Sequence, residues 1–329
     1  MSSAERQVCV IGAQGVLGAA VMHQFQSAGW QVHPAGRKAD QRPGFRHVDL
    51  DQPEAIASAV SDVDLVVSTV AHPGLTAERL VAECGGTLVN CSHASGRAAR
   101  AIAMDTGQPR GTVLLNGGLV PGVANLVAAD LLRGHPEADC LEVAFTVLNR
   151  GSAGRAAGEF AYRGLACRSH HRVSKLPLPE PFGDLACIEI DEQEDGGYYA
   201  GVARSRRVET YVGLGDWPLS FAVRAVNALR LMRLLPRITF TVQRGDPNGL
   251  SSEPTVVWVG ARRGGERLGA CTIECEGDYR TTAAVARIFG ERLAGSGRPG
   301  CFNPEDLFEL SDLRPSLDKA GIKIADAAI

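Results

Sequence analysis

Three glycines separate the first apolar run of this 329-residue chain from its first helical pattern. The run 7–11 leads directly into the sequence GAQGVLG, and helical periodicity continues to about residue 28. A pyrophosphate approaches backbone amides at a helix N-terminus, where the helix dipole favours negative charge and a Cβ would obstruct the approach. The pattern therefore predicts a dinucleotide site at the start of an α/β fold. An ordinary strand-to-helix turn is the alternative.

The ends of the following strands supply the other predicted cofactor contacts. The second predicted strand, 31–35, ends just before Arg37 and Lys38, where NAD-binding chains place an acid for the ribose 2′-hydroxyl. A guanidinium at this position suits a 2′-phosphate, so the sequence favours NADP over NAD, with a solvated Arg–Lys pair as the alternative. The predicted cofactor-binding residues are Gly12, Gln14, Gly15, Val16, Leu17, Gly18, Arg37, Lys38, Asp49, Thr69, Ala71 and Ser92.

Two histidines follow predicted central strands of the sheet. His72 comes after the apolar run 64–70, and His93 comes after the strand 87–91. Because open α/β sheets bind ligands at the carboxyl ends of their strands, both are candidate catalytic proton donors, with Tyr162 in reserve. A surface-loop position is the alternative for either histidine, and water or the substrate's own amine is the alternative donor.

Composition excludes several classes of protein. The net charge is −3, with 34 basic and 37 acidic side chains interspersed, so no field over the whole molecule attracts nucleic acid. No run approaches the roughly 20 apolar residues that cross a bilayer. We therefore expect a cytoplasmic protein without a membrane partner. The nine cysteines lack paired CxxC spacing, which predicts reduced thiols and no metal site.

The tyrosines exclude one chemistry that also begins at a glycine-rich turn. Short-chain dehydrogenases and their extended relatives need a tyrosine with a lysine four residues later, which lowers the pKa of the phenol. The chain has five tyrosines, and the residues four positions after them are Ala166, Val202, Ala203, Gly215 and Ala283. None is lysine, so that chemistry is absent in its usual form.

Three segments of the chain resemble the saccharopine dehydrogenase-like family of oxidoreductases. One is the opening GAQGVLG with Arg37, the second is GGLVPGVANL at 117–126, and the third is the closing pattern over 281–322, which contains RPGCFNPE. The resemblance implies a Rossmann domain built from both chain ends, with a mixed α/β substrate domain inserted between them. We assign 1–122 and 297–329 to the Rossmann domain and 123–296 to a substrate and dimerisation domain.

The predicted fold class is thus α/β, with a doubly wound parallel sheet and an inserted, mostly antiparallel sheet. Short predicted strands alternate with two helices across the middle of the chain, which indicates the second sheet. The predicted strands include 45–50 in the first domain and 198–203 and 238–242 in the second. A sheet-rich second domain predicts a homodimer.

The resemblance implies hydride transfer with NADPH to a C=N bond of a small amino-acid or opine-like metabolite. A guanidinium would hold the carboxylate of such a substrate, and Arg150 and Arg155 flank a glycine-rich turn, with Asn116 as a further substrate contact. A solvated basic face is the alternative for the two arginines. Three other functions stay open: reduction of a conjugated C=C bond, redox-neutral isomerisation with bound cofactor, and non-catalytic sensing of NADP(H).

Overall fold

Two compact units make up the chain. The computed structural model describes residues 6–92, 98, 101–102, 105, 107–147, 155–190, 197–215, 217–237, 248, 250–295 and 297–327. Unit 1 comprises Met1–Val123 and Arg280–Glu309, and unit 2 comprises Ala124–Tyr279 and Leu310–Ile329. Each unit contains its own seven-stranded sheet.

The sheet of unit 1 is entirely parallel. Its strands are β1 (Gln7–Ile11), β2 (Gln31–Gly36), β3 (Arg46–His47), β4 (Leu65–Ser68), β5 (Thr87–Asn90), β6 (Thr112–Leu114) and β13 (Gly300–Phe302). They are arranged in the order β13-β6-β5-β4-β1-β2-β3. The portion 3-2-1-4-5-6 is the strand order of the doubly wound nucleotide-binding fold, in which the chain changes direction across the sheet between β1 and β4. The predicted doubly wound parallel sheet is confirmed.

The strands of unit 1 form because apolar residues follow one another without interruption. All four residues of β4 are buried, as are Val8 to Ile11 of β1, which is typical of parallel strands covered on both faces. The helices of this unit with described bounds are α1 (Val16–Ser27), α2 (Pro53–Val60), α3 (Thr76–Cys84), most of α8 (Asp278–Leu293) and α9 (Pro304–Leu307). Gly290 lets α8 pack closely, since a Cβ there would lie 2.5 Å from the side chain of Leu65.

The sheet of unit 2 is mixed. Its strands are β7 (Cys140–Val147), β8 (Val173–Pro177), β9 (Asp184–Ile190), β10 (Arg207–Leu214), β11 (Pro254–Arg263), β12 (Glu266–Glu276) and β14 (Lys323–Asp326). Their order is β14-β12-β11-β7-β10-β9-β8, and among these described strands β7 and β10 pair in parallel while the other neighbours are antiparallel. The predicted mixed, mostly antiparallel second sheet is therefore confirmed.

Helices pack on the second sheet through an apolar cluster. Ile188 and Val212 of the strands meet Leu165 and Val223 of the helices, and all four side chains are buried. The helices of the unit are α4 (Val123–Gly134, of which Val123 belongs to unit 1), α5 (Arg155–Ala166), α6 (Ala200–Ala203), α7 (Trp217–Ala228), a 3-10 turn (Met232–Leu234) and α10 (Leu310–Lys319). No helix in the described part of the chain has both the length and the apolar character to cross a bilayer.

The units differ from the predicted domain boundaries at the carboxyl end. Most of α8 belongs to unit 1 because it packs on Leu65, although the sequence analysis placed it in the substrate domain. The segment 310–327 belongs to unit 2 because β14 pairs antiparallel with β12, although the sequence analysis placed it in the Rossmann domain.

Two predicted strands are wrong in type or extent. The segment 198–203 is not a strand, because the carbonyl of Tyr198 accepts a hydrogen bond from Asn125 Nδ2 at 2.9 Å and helix α6 follows. The predicted strand 45–50 shortens to β3, because a turn that leads into α2 begins at Asp49, whose carbonyl accepts the Gln52 amide at 3.0 Å. The predicted strand 238–242 lies outside the described residues.

Candidate functional site

The glycine turn after β1 has the geometry that its sequence predicts. Gly12 has a φ of +86°, and its amide and that of Ala13 donate to the carbonyl of Ala35 at 2.9 and 3.1 Å. A Cβ on Gly12 would lie 2.5 Å from Thr69 Oγ1, and a Cβ on Gly18 would overlap the backbone of Gly12. Gly12 therefore makes the tight turn, and Gly18 lets α1 pack against it.

The middle glycine leaves the start of α1 open. Gly15 is exposed, and the nearest described heavy atom to a Cβ built on it would be Gly12 O at 3.3 Å. Helix α1 has no side-chain cap, and the amides of its first turn have no acceptor within the helix. A helix N-terminus with free amides under an exposed glycine fits a pyrophosphate.

Two side chains tie the loop after β2 to the glycine turn. Gln14 Nε2 donates to the carbonyl of Lys38 at 3.0 Å and to Asp40 Oδ2 at 3.3 Å. Arg42 Nη1 donates to the carbonyl of Ala13 at 3.2 Å. These hydrogen bonds hold the loop that carries Arg37 and Lys38 against the glycine turn. The side chains of Arg37 and Lys38 are exposed.

Asp40 is a residue of this site that the sequence analysis missed. It comes four residues after the end of β2, whereas the analysis looked for an acid only at the strand end. Arg42 binds Asp40 Oδ2 through Nε at 2.9 Å and Nη2 at 2.5 Å, and this pairing lowers the pKa of Asp40 to about 2. Arg37 makes no ion pair with any acid in the described part of the chain, so its charge is not neutralised there. The signal in the sequence was an Asp followed two residues later by an Arg.

The ends of β1 and β4 are bonded together where the strand order reverses. Both the amide and the hydroxyl of Thr69 donate to the carbonyl of Ile11, at 3.0 and 2.9 Å. Thr69 therefore holds β4 beside the glycine turn, and its hydroxyl oxygen still has acceptor capacity. Ala71, two residues later, is exposed.

A buried polar network holds Ser92 at the end of β5. The amide and hydroxyl of Ser92 both donate to Asn90 Oδ1 at 2.6 Å, and Asn90 Nδ2 donates to Glu78 Oε1 at 2.5 Å. Asn90 and Glu78 are almost wholly buried. Burial raises the pKa of the Glu78 carboxyl.

This network makes stability depend on pH through Glu78. Because its pKa is higher in the folded than in the unfolded chain, ionisation of Glu78 costs folding free energy as pH rises from about 4.5. We expect Glu78→Gln to unfold with a weaker pH dependence and to be more stable than the parent by about 1–2 kcal/mol at pH near 8, because the Gln oxygen still accepts from Asn90.

Urea unfolding between acidic and mildly alkaline pH measures this effect. Glu83→Gln is the matched control, because Glu83 is exposed on the same helix and its replacement should leave the pH dependence unchanged. Equal pH slopes for the parent and Glu78→Gln would contradict the assignment.

His72 is held from both sides of its ring. Its Nε2 lies 3.2 Å from Asp51 Oδ1, and its Nδ1 lies 3.2 Å from Thr76 Oγ1. The sequence analysis did not select Asp51, which follows the third strand in an acidic turn. In this arrangement both ring nitrogens are engaged, so His72 has to release one partner before it donates a proton.

The remaining predicted catalytic and substrate residues are dispersed. Asn116 is fully buried in unit 1, where its Nδ2 donates to Asn303 Oδ1 at 3.0 Å. Tyr162 is partly buried on α5 of unit 2. His93 and Arg150 lie outside the described residues, and Arg155 is described only as the first backbone position of α5.

The described residues show no cluster for a metal. They contain no group of three or more His, Cys, Asp or Glu side chains placed to hold an ion. Asp49, predicted to contact the adenine, accepts the amide of Asp51 through Oδ1 at 3.1 Å, so it is held within the turn that leads to α2.

The segment GGLVPG, which carries much of the family resemblance, is a close-packed turn in unit 1. The Gly118 amide donates to the carbonyl of Pro121 at 3.2 Å, and the Leu119 amide donates to Thr282 Oγ1 of α8 at 3.3 Å. Gly122 has a φ of +139°, and a Cβ there would overlap the carbonyl of Gly118. Gly122 of this motif is thus required by the backbone.

Comparisons with known proteins agree with this geometry. Residues 8–89 match the model of the NAD dependent epimerase/dehydratase family. No curated protein matches the chain significantly. Among solved structures, apo saccharopine dehydrogenase (L-Glu forming) from Saccharomyces cerevisiae matches with a TM-score of 0.63 at 12% identity, over 98% of this chain and 100% of that chain. The fold is saccharopine dehydrogenase-like.

A second solved structure matches over a similar length. It is a mutant of meso-dapdh with DAP from Clostridium tetani E88, with a TM-score of 0.49, 11% identity, and coverage of 95% of this chain and 100% of that chain. The epimerase/dehydratase match ends within β5, so it covers part of unit 1 and none of unit 2. The saccharopine dehydrogenase-like fold predicted from the three motifs is confirmed.

Proposed function

We propose that the protein is an NADPH-dependent oxidoreductase that transfers hydride to a C=N bond of a small amino-acid or opine-like metabolite. The observation that carries the proposal is the glycine turn at the reversal point of the parallel sheet, with the Arg37 loop tied to it through Gln14. This combination offers helix amides to a pyrophosphate and an unneutralised guanidinium to a further phosphate.

The residues proposed to contact NADPH all lie in unit 1. The amides of Val16 and Leu17 would hold the pyrophosphate, Arg37 and Lys38 would hold the 2′-phosphate, and Asp49 would accept from the adenine amino group. Thr69, Ala71 and Ser92 lie at the carboxyl ends of β4 and β5, the sheet edge where open α/β folds bind ligands. The bound cofactor supplies the hydride.

The Asp40–Arg42 pair supports the preference for NADP. A free carboxylate near the end of β2 would accept from the ribose 2′-hydroxyl of NAD and repel a 2′-phosphate. Arg42 donates two hydrogen bonds to the Asp40 carboxylate and neutralises its charge at all pH values well above 2. The loop therefore presents the net positive charge of Arg37 and Lys38.

Removal of Arg42 tests this idea. Arg42→Ala leaves Asp40 ionised without its partner, so we expect the ratio of NADH to NADPH affinity to rise, by up to about fivefold. Isothermal calorimetry with both nucleotides measures the ratio. Arg79→Ala is a control that removes a paired arginine, bound to Asp105 rather than to the loop, and should leave the ratio unchanged.

The proton for the reduced nitrogen has three candidate sources on this chain. His93 and His72 follow central strands, and Tyr162 is the reserve. Asp51 would orient the His72 ring and stabilise its charged form if Thr76 yields Nδ1. Arg150 or Arg155 would hold the carboxylate of the substrate, and water or the substrate amine would serve where no side chain donates.

A substrate panel tests the proposed reaction. Purified protein with NADPH is given keto acid and amine pairs, enoyl compounds and chiral amino acids, and both cofactor oxidation and product formation are followed. Oxidation with imine-forming pairs supports the proposal. Oxidation with enoyl compounds alone would assign C=C reduction, and product without cofactor loss would assign isomerisation. Tight NADPH binding with no turnover would indicate a sensor, and absence of nucleotide binding would refute all four.

The proposed assembly is a homodimer in the cytoplasm that takes a small, carboxylate-bearing substrate. The basis is the strand-rich second unit, which offers an extended sheet for pairing across a two-fold axis. Light scattering after size exclusion measures the mass in solution, and a monomer at all concentrations would contradict the dimer.

A further inference from the structure

Large apolar side chains are exposed on α7 and in the segment that follows it. We define the Leu–Arg surface as Phe221, Arg224, Leu229, Arg230, Leu231, Arg233 and Leu234. Leu229, Leu231 and Leu234 are 68%, 43% and 73% exposed, and Phe221 is 63% exposed. The other large apolar side chain that is exposed in the described part of the chain is Val173, so four of five such residues lie within 221–234.

The Leu–Arg surface stands on a firmly anchored base. Asn227 is buried, and its side chain accepts the His171 amide at 2.7 Å and donates to the His171 carbonyl at 2.9 Å. The amide of Met232 donates to the carbonyl of Ser169 at 3.2 Å, and its side chain is fully buried. The exposed leucines are therefore held outward by the fold, because Asn227 and Met232 of the same segment are anchored in the core.

The charge of this segment is of one sign. Residues 217–237 contain four arginines and no acid, in a chain whose net charge is −3. Arg237 pairs with Glu159 at 2.8 Å. Arg224, Arg230 and Arg233 are exposed and make no ion pair with the described acids. Three exposed guanidiniums without a partner among the described acids thus lie in the same segment as three exposed leucines.

We propose that the Leu–Arg surface docks the protein on an anionic lipid bilayer. Apolar side chains that enter the headgroup boundary, flanked by arginines that reach lipid phosphates, are the pattern of interfacial binding, which needs no membrane-spanning segment. The surface therefore offers a membrane contact that the sequence analysis, which considered only spanning runs, did not expect.

Charge and composition favour lipid over two other occupants. A second copy meeting the same surface across a two-fold axis would bring six unpaired guanidiniums together, which like-charge repulsion opposes. Protein interfaces concentrate their binding energy in tryptophan, tyrosine and arginine, so the three arginines suit either occupant, whereas leucine is under-represented at such interfaces. The apolar part of this surface is three leucines and one phenylalanine, which suits acyl chains better than a shaped partner.

Flotation of the full chain with lipid vesicles tests the proposal. We expect binding to phosphatidylcholine vesicles that contain about 30% phosphatidylserine, weaker binding to pure phosphatidylcholine, and loss of binding as NaCl rises from about 0.1 M to about 0.5 M. The double variants Leu229→Ser/Leu234→Ser and Arg224→Gln/Arg233→Gln should each lower the partition coefficient about tenfold or more.

Matched controls exclude general effects of surface composition. Val173→Ser removes the exposed apolar side chain outside the surface, and Arg263→Gln/Arg314→Gln removes two exposed arginines elsewhere in unit 2. Both should bind vesicles like the parent, and circular dichroism should show all variants folded. Absence of vesicle binding, or equal loss in controls and test variants, would overturn the proposal.

Two further results would assign the surface to another occupant and also overturn it. A concentration-dependent dimer that Leu229→Ser/Leu234→Ser converts to monomer would make the surface an interface between copies. Binding to soluble polyglutamate without binding to vesicles would make it a site for an acidic protein. Size exclusion with light scattering and a pull-down on immobilised polyglutamate distinguish these results.

Discussion

Replacement of Arg37 by aspartate should reverse the nucleotide preference of the protein. The variant loses a charge-assisted bond to the 2′-phosphate, worth about 1.5–3 kcal/mol, and places a carboxylate that repels that phosphate and accepts from a 2′-hydroxyl. We expect the ratio of NADPH to NADH affinity to fall about 100-fold, which corresponds to about 2.7 kcal/mol. Calorimetric titration with each nucleotide gives the two dissociation constants.

The matched control for this experiment is Arg110→Asp. Arg110 is exposed and lies two residues before β6, at the amino edge of the parallel sheet and so at the opposite edge from the glycine turn. The same change of charge there should leave the affinity ratio as it is. If Arg37→Asp also leaves the ratio unchanged, the 2′-phosphate assignment fails, while pyrophosphate binding at the turn would stand.

Replacement of Gly18 by alanine should disrupt unit 1 and its nucleotide site together. The new Cβ would overlap the carbonyl of Gly12 and the Cα of Ala13, which are backbone atoms and cannot rotate away. We expect a loss of about 3 kcal/mol in the free energy of unfolding, a fall in Tm of roughly 6–12 °C, and at least tenfold weaker NADPH binding. Thermal unfolding and calorimetry measure both effects.

Gly134→Ala separates this clash from a general effect of glycine in helices. Gly134 is the last residue of α4, and a Cβ there would have no described heavy atom within 4 Å. Alanine at this position should change Tm by a few degrees at most, because it removes only backbone freedom from the unfolded chain. A Gly18→Ala protein as stable as Gly134→Ala would show that α1 can move away from the turn without cost.

Local patterns predicted the elements of unit 1 well because each carries its own signal. The residues 7–11 were predicted as a strand, and β1 has those bounds, while α2 begins at a proline that marks a helix start. A strand covered on both faces needs a continuous apolar run, and Pro53 near the helix start fixes the first turn. The glycine turn was likewise predictable, since Gly12 has a positive φ and a Cβ on Gly18 would overlap backbone atoms of the turn.

Features that depend on distant partners were not predictable in the same way. The pairing of β14 with β12 moves the carboxyl segment out of the predicted Rossmann domain, and nothing local to 323–326 indicates which sheet it joins. Neutralisation of the Asp40 charge depends on the position of its loop, which hydrogen bonds from Gln14 and Arg42 hold against the glycine turn. The strand predicted at 198–203 does not form, because the carbonyl of Tyr198 accepts a hydrogen bond from Asn125, which is distant in the chain.

The last strand of the first sheet arrives late in synthesis. β13 pairs with β6, and the hydroxyl of Thr112 donates to the carbonyl of Arg298 across 186 residues of chain. Until the ribosome has released that stretch, the edge of β6 has no partner, and closure of so long a loop is slow and entropically costly. We therefore expect a nascent chain to carry an open strand edge until residue 300 has been made, and a chain that terminates before it to keep that edge as a site for strand addition.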